Sequence, residues 1–301
     1  MGNFALLGAF ILLGMALRRL PATPPGLARG LNLIALYLSL PAMILLKAPQ
    51  ISFSSEVLVP ALTPWGMLLL SAALVLAVAR LRGWSRETTG VLLLVVPLGN
   101  TSFMGVPMVQ AFFGEGGLPY LIVYDQFGTI AIFATYGAVI LALYGRQGAS
   151  SVKAVARRVV TFPPTIALVA GLSLRSWLYP PELTWALQGI AATLTPLVMT
   201  AIGFQLRWRL RPSILAPLSF GLGVKLLVAP VVALAIFRLA GLHGLATDVA
   251  VFEAAMPPMV IAGALAVAAG LDAELSVAMV GLGVIFSFAT LPLTYFLLQL
   301  F

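Results

Sequence analysis

The chain has 301 residues, of which 61% are hydrophobic and only 9% are charged. A soluble domain carries roughly 25% charged residues, so this composition excludes an ordinary soluble protein and indicates an integral membrane protein. The absence of cysteine excludes disulfides, thiolate catalysis and cysteine-based metal sites. A net charge of +8 would suggest a nucleic-acid partner in a soluble protein, so the positions of the basic residues decide its meaning here.

Ten apolar segments, separated by clusters of Pro, Gly and charged residues, predict ten membrane spans. In chain order they cover residues 3–17, 31–47, 61–80, 89–113, 118–144, 159–175, 183–206, 213–239, 248–269 and 274–300. The first segment has no preceding basic region and no small-residue cleavage site, so we expect a retained helix rather than a signal peptide. The sequence therefore predicts an all-α polytopic membrane protein.

Most of the 17 Lys and Arg residues fall in the odd-numbered connections between these spans. These residues are Arg18, Arg19, Arg29, Arg80, Arg82, Arg86, Arg146, Lys153, Arg157, Arg158, Arg207, Arg209 and Arg211. The opposite side has only Lys47, Arg175 and Arg238, while Lys225 lies inside span 8. The positive-inside rule then predicts a plasma (inner) membrane protein with both termini outside. Because the basic charge is a topology signal, we expect no nucleic-acid partner.

Span 4 contains a stretch that a regular helix does not accommodate well. Residues 97–107 hold three consecutive polar side chains, and they also hold two prolines and two glycines as helix breakers. The breakers are Pro97, Gly99, Gly105 and Pro107. Irregular backbone at membrane depth is tolerated only where it is buried in protein or lines a water-filled cavity. We therefore expect this break to form half of a substrate site.

The two halves of the chain share weak internal similarity. Residues 128–135 of span 5 match residues 283–290 of span 10 at an offset of 155 residues. The same offset places residues 100–103 opposite residues 255–258 of span 9, where Pro257 and Pro258 also interrupt the apolar pattern. The sequence thus predicts two inverted five-helix repeats, residues 1–144 and 159–301, with spans 4 and 9 broken. Paired interruptions of this kind are typical of a midplane binding site in secondary transporters.

Three ionisable residues lie well inside spans, and such residues are functional candidates by default. Lys225 lies about 21 Å along span 8 if the helix starts near Arg211, because a helix rises 1.5 Å per residue. Lys225 would supply a positive field to a bound carboxylate, and Asp125 or Glu253 would carry a coupling proton. The alternatives are an ion pair of Lys225 with either acid, and sodium coupling through Asn100, Thr101 and Glu253.

Several motifs resemble the auxin efflux carrier family over essentially the whole chain. They are Leu40–Ile44, Gly99–Pro107, Tyr124–Gly128, Lys225–Pro230, Ala255–Pro258 and Leu291–Pro292. The resemblance implies a transporter of the bile acid, arsenite and riboflavin transporter superfamily, in which two broken helices cross. It also implies that spans 1, 2, 6 and 7 form a scaffold, often a homodimer interface, and that spans 3, 4, 5, 8, 9 and 10 form a moving transport unit.

The resemblance further implies alternating-access transport of small organic anions, such as carboxylates or auxin-like acids. The residues expected to bind substrate are Asn100, Thr101, Ser102, Lys225, Met256, Pro257 and Pro258. We expect no metal and no cofactor apart from H⁺ or Na⁺ as a coupling ion. Nothing in the sequence matches a nucleophile elbow, a zinc-protease motif or an Asp-rich Mg²⁺ cluster, so an enzyme is not expected. A channel and a ligand sensor built on a carrier fold remain the alternatives.

Overall fold

The computed structural model describes residues 2–24, 26–51, 54–145, 157, 161–205 and 212–300. Six of the basic residues behind the predicted topology lie outside these ranges, namely Arg146, Lys153, Arg158, Arg207, Arg209 and Arg211. In the described ranges the secondary structure is helical and contains no β-strand, apart from one isolated bridge between Gly99 and Pro258. The all-α prediction is confirmed for this part of the chain.

The described residues between 2 and 145 form eight α-helices. They are α1 (Gly2–Arg19), α2 (Leu27–Ile34), α3 (Leu40–Lys47), α4 (Leu58–Arg82), α5 (Arg86–Val95), α6 (Val106–Phe113), α7 (Leu118–Val123) and α8 (Ala138–Tyr144). Short 3₁₀ turns cover Ala48–Gln50, Ser55–Val57 and Glu115–Gly117. Helix α5 begins with a side-chain cap, because the Ser85 hydroxyl accepts a hydrogen bond from the Thr88 N–H at 3.1 Å.

The described residues from 161 to 300 form eight further α-helices and one short 3₁₀ turn, Pro212–Ile214. The helices are α9 (Pro163–Ser173), α10 (Pro181–Ala192), α11 (Leu194–Gln205), α12 (Leu215–Gly223), α13 (Ala229–Leu239), α14 (Leu245–Ala254), α15 (Val260–Ala268) and α16 (Ala273–Leu300).

Six continuous helical segments in the described residues are long and apolar enough to cross a membrane. They are Leu27–Gln50, Ser55–Arg82, Glu115–Tyr144, Pro181–Phe204, Pro212–Leu239 and Ala273–Leu300. They correspond to predicted spans 2, 3, 5, 7, 8 and 10. The other four predicted spans fall on α1, on α5 with α6, on α9, and on α14 with α15. The count of ten crossings and the inverted repeat stay predictions.

Five stretches adopt π-helical geometry within or between these α-helices. They are Ala35–Ser39, Thr101–Gly105, Tyr124–Ile130, Phe133–Gly137 and Val224–Val228. A π turn inserts an extra residue into a helix and re-aims the side chains around it, and it is frequent at functional sites. Two of these stretches carry Asp125 and Lys225, the charged residues predicted for spans 5 and 8.

The chain divides into two compact units. Unit 1 comprises Met1–Phe53, Ser102–Ile122 and Val160–Leu206, and unit 2 comprises Ser54–Thr101, Val123–Val159 and Arg207–Phe301. Each unit therefore draws on both halves of the sequence. The chain passes from one unit to the other inside two predicted spans, after Thr101 in span 4 and after Ile122 in span 5.

Within unit 1, α1 and α11 pack closely through glycines. A Cβ atom on Gly14 would overlap the Thr200 carbonyl oxygen, and one on Gly203 would overlap the Ile11 carbonyl oxygen. Small residues that let helix backbones approach are a usual basis of helix association in membranes. The same close approach occurs in unit 2, where a Cβ on Gly128 would overlap the ring of Pro64.

Candidate functional site

Two irregular stretches between helical segments, called here the first and second interruption, lie in unit 2. The first interruption, residues 96–100, lies between the end of α5 and the π turn that starts at Thr101. The second interruption, residues 255–259, lies between the end of α14 and the start of α15. Every residue in both interruptions is buried. Because prolines lie in each, the α-helical hydrogen-bond ladder cannot run through them.

The two interruptions pair with each other as short antiparallel segments. The Asn100 N–H donates to the Pro257 carbonyl at 2.7 Å, and the Met259 N–H donates to the Leu98 carbonyl at 2.9 Å. Between these two bonds Gly99 lies opposite Pro258 in an antiparallel bridge. This pairing satisfies backbone groups of residues that lie outside the helices and have no helical partner.

No backbone donor of the second interruption lacks a partner. The Ala255 and Met256 N–H groups donate at 3.1 Å to carbonyls in the last turn of α14, and the Met259 N–H donates across the pair. Pro257 and Pro258 have no N–H to satisfy. Irregular backbone inside a membrane protein must have its polar groups paired within the protein, and the donors of this segment are paired. The two prolines reduce the number of donors that need a partner.

Lys225 lies in the π turn Val224–Val228, and its ammonium group meets the C-terminal end of α14. It is buried, and its Nζ donates a hydrogen bond to the Ala254 carbonyl at 3.1 Å. A cation at a helix C-terminus is stabilised by the helix dipole. A Cβ atom on Gly99 would lie 3.2 Å from the same Nζ, so the absence of a side chain at Gly99 lets the ammonium group approach the first interruption.

Asp125 lies in the π turn that follows α7 and has both carboxyl oxygens hydrogen-bonded. Its Oδ1 accepts from the Thr101 hydroxyl at 2.5 Å, and its Oδ2 accepts from the Gln126 side-chain amide at 2.7 Å. All three residues are buried. Hydrogen bonds of this kind to a carboxylate are among the stronger ones in proteins, so Asp125 is held in place next to the first interruption.

Glu253 is the least compensated polar group of the site. Its exposed fraction is 0%, and neither carboxyl oxygen has a hydrogen-bond partner in the described part of the chain. Its electrostatic neighbours are Lys225, Asp125 and the Tyr124 hydroxyl. Burial of a carboxylate without hydrogen bonds is costly, and a bound proton or cation would relieve that cost.

Asn100 also has an unsatisfied group. Its backbone N–H is paired, whereas its buried side-chain nitrogen Nδ2 has no hydrogen-bond partner among the described residues. A buried donor without a partner is unfavourable, and a ligand that accepts a hydrogen bond from it would remove the penalty. Asn100 thus offers a donor in the residue that follows Gly99, the position that the Lys225 ammonium group approaches.

Most of the predicted site residues belong to unit 2, and a few belong to unit 1. Asn100, Thr101, Asp125, Lys225, Glu253, Met256, Pro257 and Pro258 are buried members of unit 2. Ser102 is half-buried and belongs to unit 1. Pro97 and Gly99 lie in the first interruption, whereas Gly105 and Pro107 lie in helices of unit 1. Pro107 is the second residue of α6 and follows the π turn Thr101–Gly105 without a break in the helical backbone.

Sequence reasoning did not assign a role to two residues near the site. Gln126 holds the Asp125 carboxylate, and Tyr124 lies in the electrostatic neighbourhood of Glu253. Both belong to the Tyr124–Gly128 motif. The available signal was a polar pair in an otherwise apolar span, which indicates a buried hydrogen-bond network but does not identify its members. The alternative of an ion pair does not take the form of a hydrogen bond between Lys225 and Glu253, since both Glu253 oxygens lack a hydrogen-bond partner within the described ranges.

Comparison with known proteins supplies the family. A family model described as membrane transport protein matches residues 4–295. An uncharacterized transporter of Methanothermobacter thermautotrophicus is 29% identical over 289 residues, which cover 94% of this chain and 93% of that protein. An uncharacterized transporter of Methanocaldococcus jannaschii is 27% identical over 285 residues, which cover 88% of each chain. The apolar helices, the buried polar site and these matches agree, and the chain belongs to the membrane transport protein family, that of the auxin efflux carriers.

Proposed function

We propose that this membrane transporter is a secondary active carrier of small organic anions, with its substrate site at the two paired interruptions. The observation that carries the proposal is the presence of two buried groups that suit an anion, the Lys225 ammonium and the Asn100 side-chain Nδ2, which has no hydrogen-bond partner among the described residues. Both lie beside irregular backbone, which secondary transporters use for midplane binding.

A carboxylate is the substrate group that fits these donors best. The Asn100 Nδ2 would donate to one carboxylate oxygen, and the Lys225 ammonium would supply a charge-assisted hydrogen bond. The second interruption leads directly into α15, and the N-terminus of a helix favours negative charge. Met256 and the prolines Pro257 and Pro258 would contact the apolar part of the substrate.

Glu253 is the residue at which we place the coupling ion, and we propose that this ion is a proton. A sodium ion bound at the end of α14 would need carbonyl oxygens there, and the Ala254 carbonyl already accepts a hydrogen bond from Lys225. Protonation would instead directly neutralise the Glu253 carboxylate, which no described residue hydrogen-bonds. Sodium coupling through Asn100, Thr101 and Glu253 is the competing version, and sodium dependence of uptake decides between the two.

Alternating access would move unit 2 as the transport unit against unit 1 as the scaffold. This assignment is supported by the division of the chain, in which predicted spans 1, 2, 6 and 7 fall in unit 1 and predicted spans 3, 8, 9 and 10 fall in unit 2. We further propose that the scaffold spans form a homodimer, and that both termini face outward from the plasma membrane.

A thermal-shift screen of the purified protein against small organic acids, with and without sodium, identifies the substrate class. The strongest stabiliser is then tested for uptake into proteoliposomes. We expect Lys225→Ala and Asn100→Ala to weaken uptake affinity, and Glu253→Gln to remove its dependence on a proton gradient. Arg82→Gln, an exposed charge at the end of α4, serves as the control.

The proposal is contradicted if no organic anion stabilises the protein, or if all three site variants transport normally. Saturable uptake with counterflow would identify a carrier, and ohmic single-channel currents would identify a channel instead. Binding without any uptake would favour a ligand sensor.

A further inference from the structure

Unit 1 has a cavity of its own, with a volume of about 790 Å³. It is lined by residues of α3, α6, α10 and α11, by the 3₁₀ turns Ala48–Gln50 and Glu115–Gly117, by the start of α7 and by the connection between α9 and α10. Ligand sites in proteins commonly have volumes of about 300–1,000 Å³, so this cavity is large enough for the polar part of a small molecule. None of its lining residues belongs to the candidate transport site.

The charged residues lining this cavity are mostly basic. Lys47 and Arg175 line it together with a single acid, Glu115. The Lys47 ammonium lies 2.5 Å from a Glu115 carboxylate oxygen, and the other oxygen accepts a hydrogen bond from the Gln110 amide at 3.0 Å. Two bases against one acid leave a net positive charge in a partly enclosed space, which favours an anionic ligand.

These two bases are unusual for the side of the membrane on which they are predicted. The even-numbered connections carry only Lys47, Arg175 and Arg238, and two of these three line the cavity. Arg238 forms its own ion pair with Asp248 at 3.1 Å. The positive-inside rule does not account for bases on this side, so their concentration around one cavity calls for another explanation.

The rim of the cavity is aromatic and apolar. The Trp177 and Tyr179 rings meet edge to face with centroids 5.2 Å apart, and the Tyr179 hydroxyl donates to the Leu45 carbonyl at 3.2 Å. Leu178, between them, is 92% exposed. Tryptophan and tyrosine are enriched at the level of the lipid headgroups, and an exposed leucine there contacts acyl chains.

We propose that this cavity binds the phosphate headgroup of an anionic membrane lipid. A basic polar interior next to an apolar rim matches a molecule that joins a phosphate to hydrocarbon chains, and it matches a fully water-soluble anion less well. Lys47 and Arg175 would contact the phosphate, while Leu178 and Trp177 would contact the chains.

In the Lys47–Glu115 ion pair, the Glu115 carboxylate would compete with a bound phosphate for the Lys47 ammonium group. The Glu115 side chain is 64% exposed and the Lys47 side chain 17% exposed, so the acid can turn toward solvent at little cost while the base remains in place. Exposed ion pairs contribute little to stability. A phosphate that replaces the Glu115 carboxylate beside Lys47 therefore costs the protein little stability. Removal of the Glu115 charge should therefore strengthen lipid binding.

The test measures binding of phosphatidylglycerol and of phosphatidylcholine to the purified full chain by native mass spectrometry, with unfolding temperature as a second readout. We expect a preference for phosphatidylglycerol, and about a fivefold loss of its affinity for each base removed in Lys47→Gln and Arg175→Gln. Glu115→Gln should raise the affinity by about the same factor. Arg82→Gln, outside unit 1, is the matched control and should leave the affinity of this site unchanged.

Equal binding of the two lipids would overturn the proposal, as would unchanged phosphatidylglycerol affinity in the basic-residue variants. So would stabilisation by inorganic phosphate or a soluble organic acid in the absence of any lipid effect, which would identify a free-anion site. If the basic-residue variants fail to fold, Glu115→Gln alone decides, because only displacement of the carboxylate by an anion predicts tighter binding.

Discussion

Substitution of Gly99 by alanine tests the close approach of Lys225 to the first interruption. The added methyl group would lie 3.2 Å from the Lys225 Nζ, 3.3 Å from the Thr101 Cγ2 and 3.5 Å from the Met256 Cβ. Comfortable contacts between non-bonded heavy atoms lie at about 3.5–4.0 Å, so the ammonium group must retreat by about 0.3 Å or more. The substitution therefore displaces Lys225 without touching its charge.

The displacement acts on a hydrogen bond that is already long. Lys225 and the Ala254 carbonyl are 3.1 Å apart, and N–H···O bonds in proteins rarely exceed about 3.2 Å. A hydrogen bond to a charged group contributes about 1.5–3 kcal/mol. The displaced ammonium group would also be out of place for its proposed hydrogen bond to the substrate carboxylate. Since 1.4 kcal/mol corresponds to a factor of ten, loss of a bond of this size should weaken substrate affinity about tenfold.

The assay is uptake into proteoliposomes, measured beside the thermal unfolding of the same preparation. Gly223→Ala is the matched control, because a Cβ at Gly223, two residues before Lys225, meets no atom within 4 Å. In that helical position alanine should be neutral or stabilising by up to about 1 kcal/mol.

A double variant separates the mechanism from general damage. If Gly99→Ala acts through Lys225, it should add no further loss in a Lys225→Ala background. Uptake and unfolding temperature equal to those of the natural chain would refute the reasoning, and so would an undiminished further loss in the double variant.

Three further substitutions test other contacts of unit 2. Asp125→Asn replaces a carboxylate that accepts hydrogen bonds from Thr101 and Gln126 by an amide, whose NH₂ group cannot accept the second bond. We therefore expect a loss of about 1–3 kcal/mol in the free energy of unfolding, and lower uptake. Gly128→Ala forces a methyl group into the Pro64 ring and should destabilise by about 1–3 kcal/mol or more, seen as a lower unfolding temperature. Ser85→Ala removes the cap of α5 and should cost about 1 kcal/mol in unfolding free energy, with uptake affinity unchanged.

Each of these predictions has a result that contradicts it. Normal uptake by Asp125→Asn would mean that its hydrogen bonds do not position the site. An unchanged unfolding temperature for Gly128→Ala would show that α4 can shift away from the added methyl group. A loss of substrate affinity in Ser85→Ala would mean that the cap, and not only the interruptions, shapes the site.

Local chemistry is why the sequence predicts the interruptions. Pro97, Pro257 and Pro258 each remove a backbone donor, and that effect does not depend on the rest of the fold. The limits of the first interruption were less predictable. Gly105 and Pro107 are the same residue types as Gly99 and Pro97, yet they lie in the helical stretch that runs from the π turn Thr101–Gly105 into α6. A π turn adds a residue to the helix, and composition alone does not predict where one forms.

The partners of the polar groups could not be predicted from the sequence. The bond from Lys225 to the Ala254 carbonyl joins residues that are far apart in the chain, and apolar periodicity carries no information about such a pair. The intramembrane charges could be recognised one by one because each is costly there. Whether the Lys225 ammonium group contacts an acid or a carbonyl depends on the direction of its side chain. That direction depends on the π-helical geometry of residues 224–228, which no sequence pattern predicts.

The pairing of the two interruptions has a mechanical consequence. Asn100 to Pro257 and Met259 to Leu98 are reciprocal bonds between separate stretches of chain. Parting the stretches would expose these groups to hydrocarbon at a cost of several kcal/mol for each. Any gate that admits substrate must therefore open around this pair and not through it. The Asn100 and Met259 amides should accordingly exchange with deuterium more slowly than neighbouring amides, throughout the transport cycle.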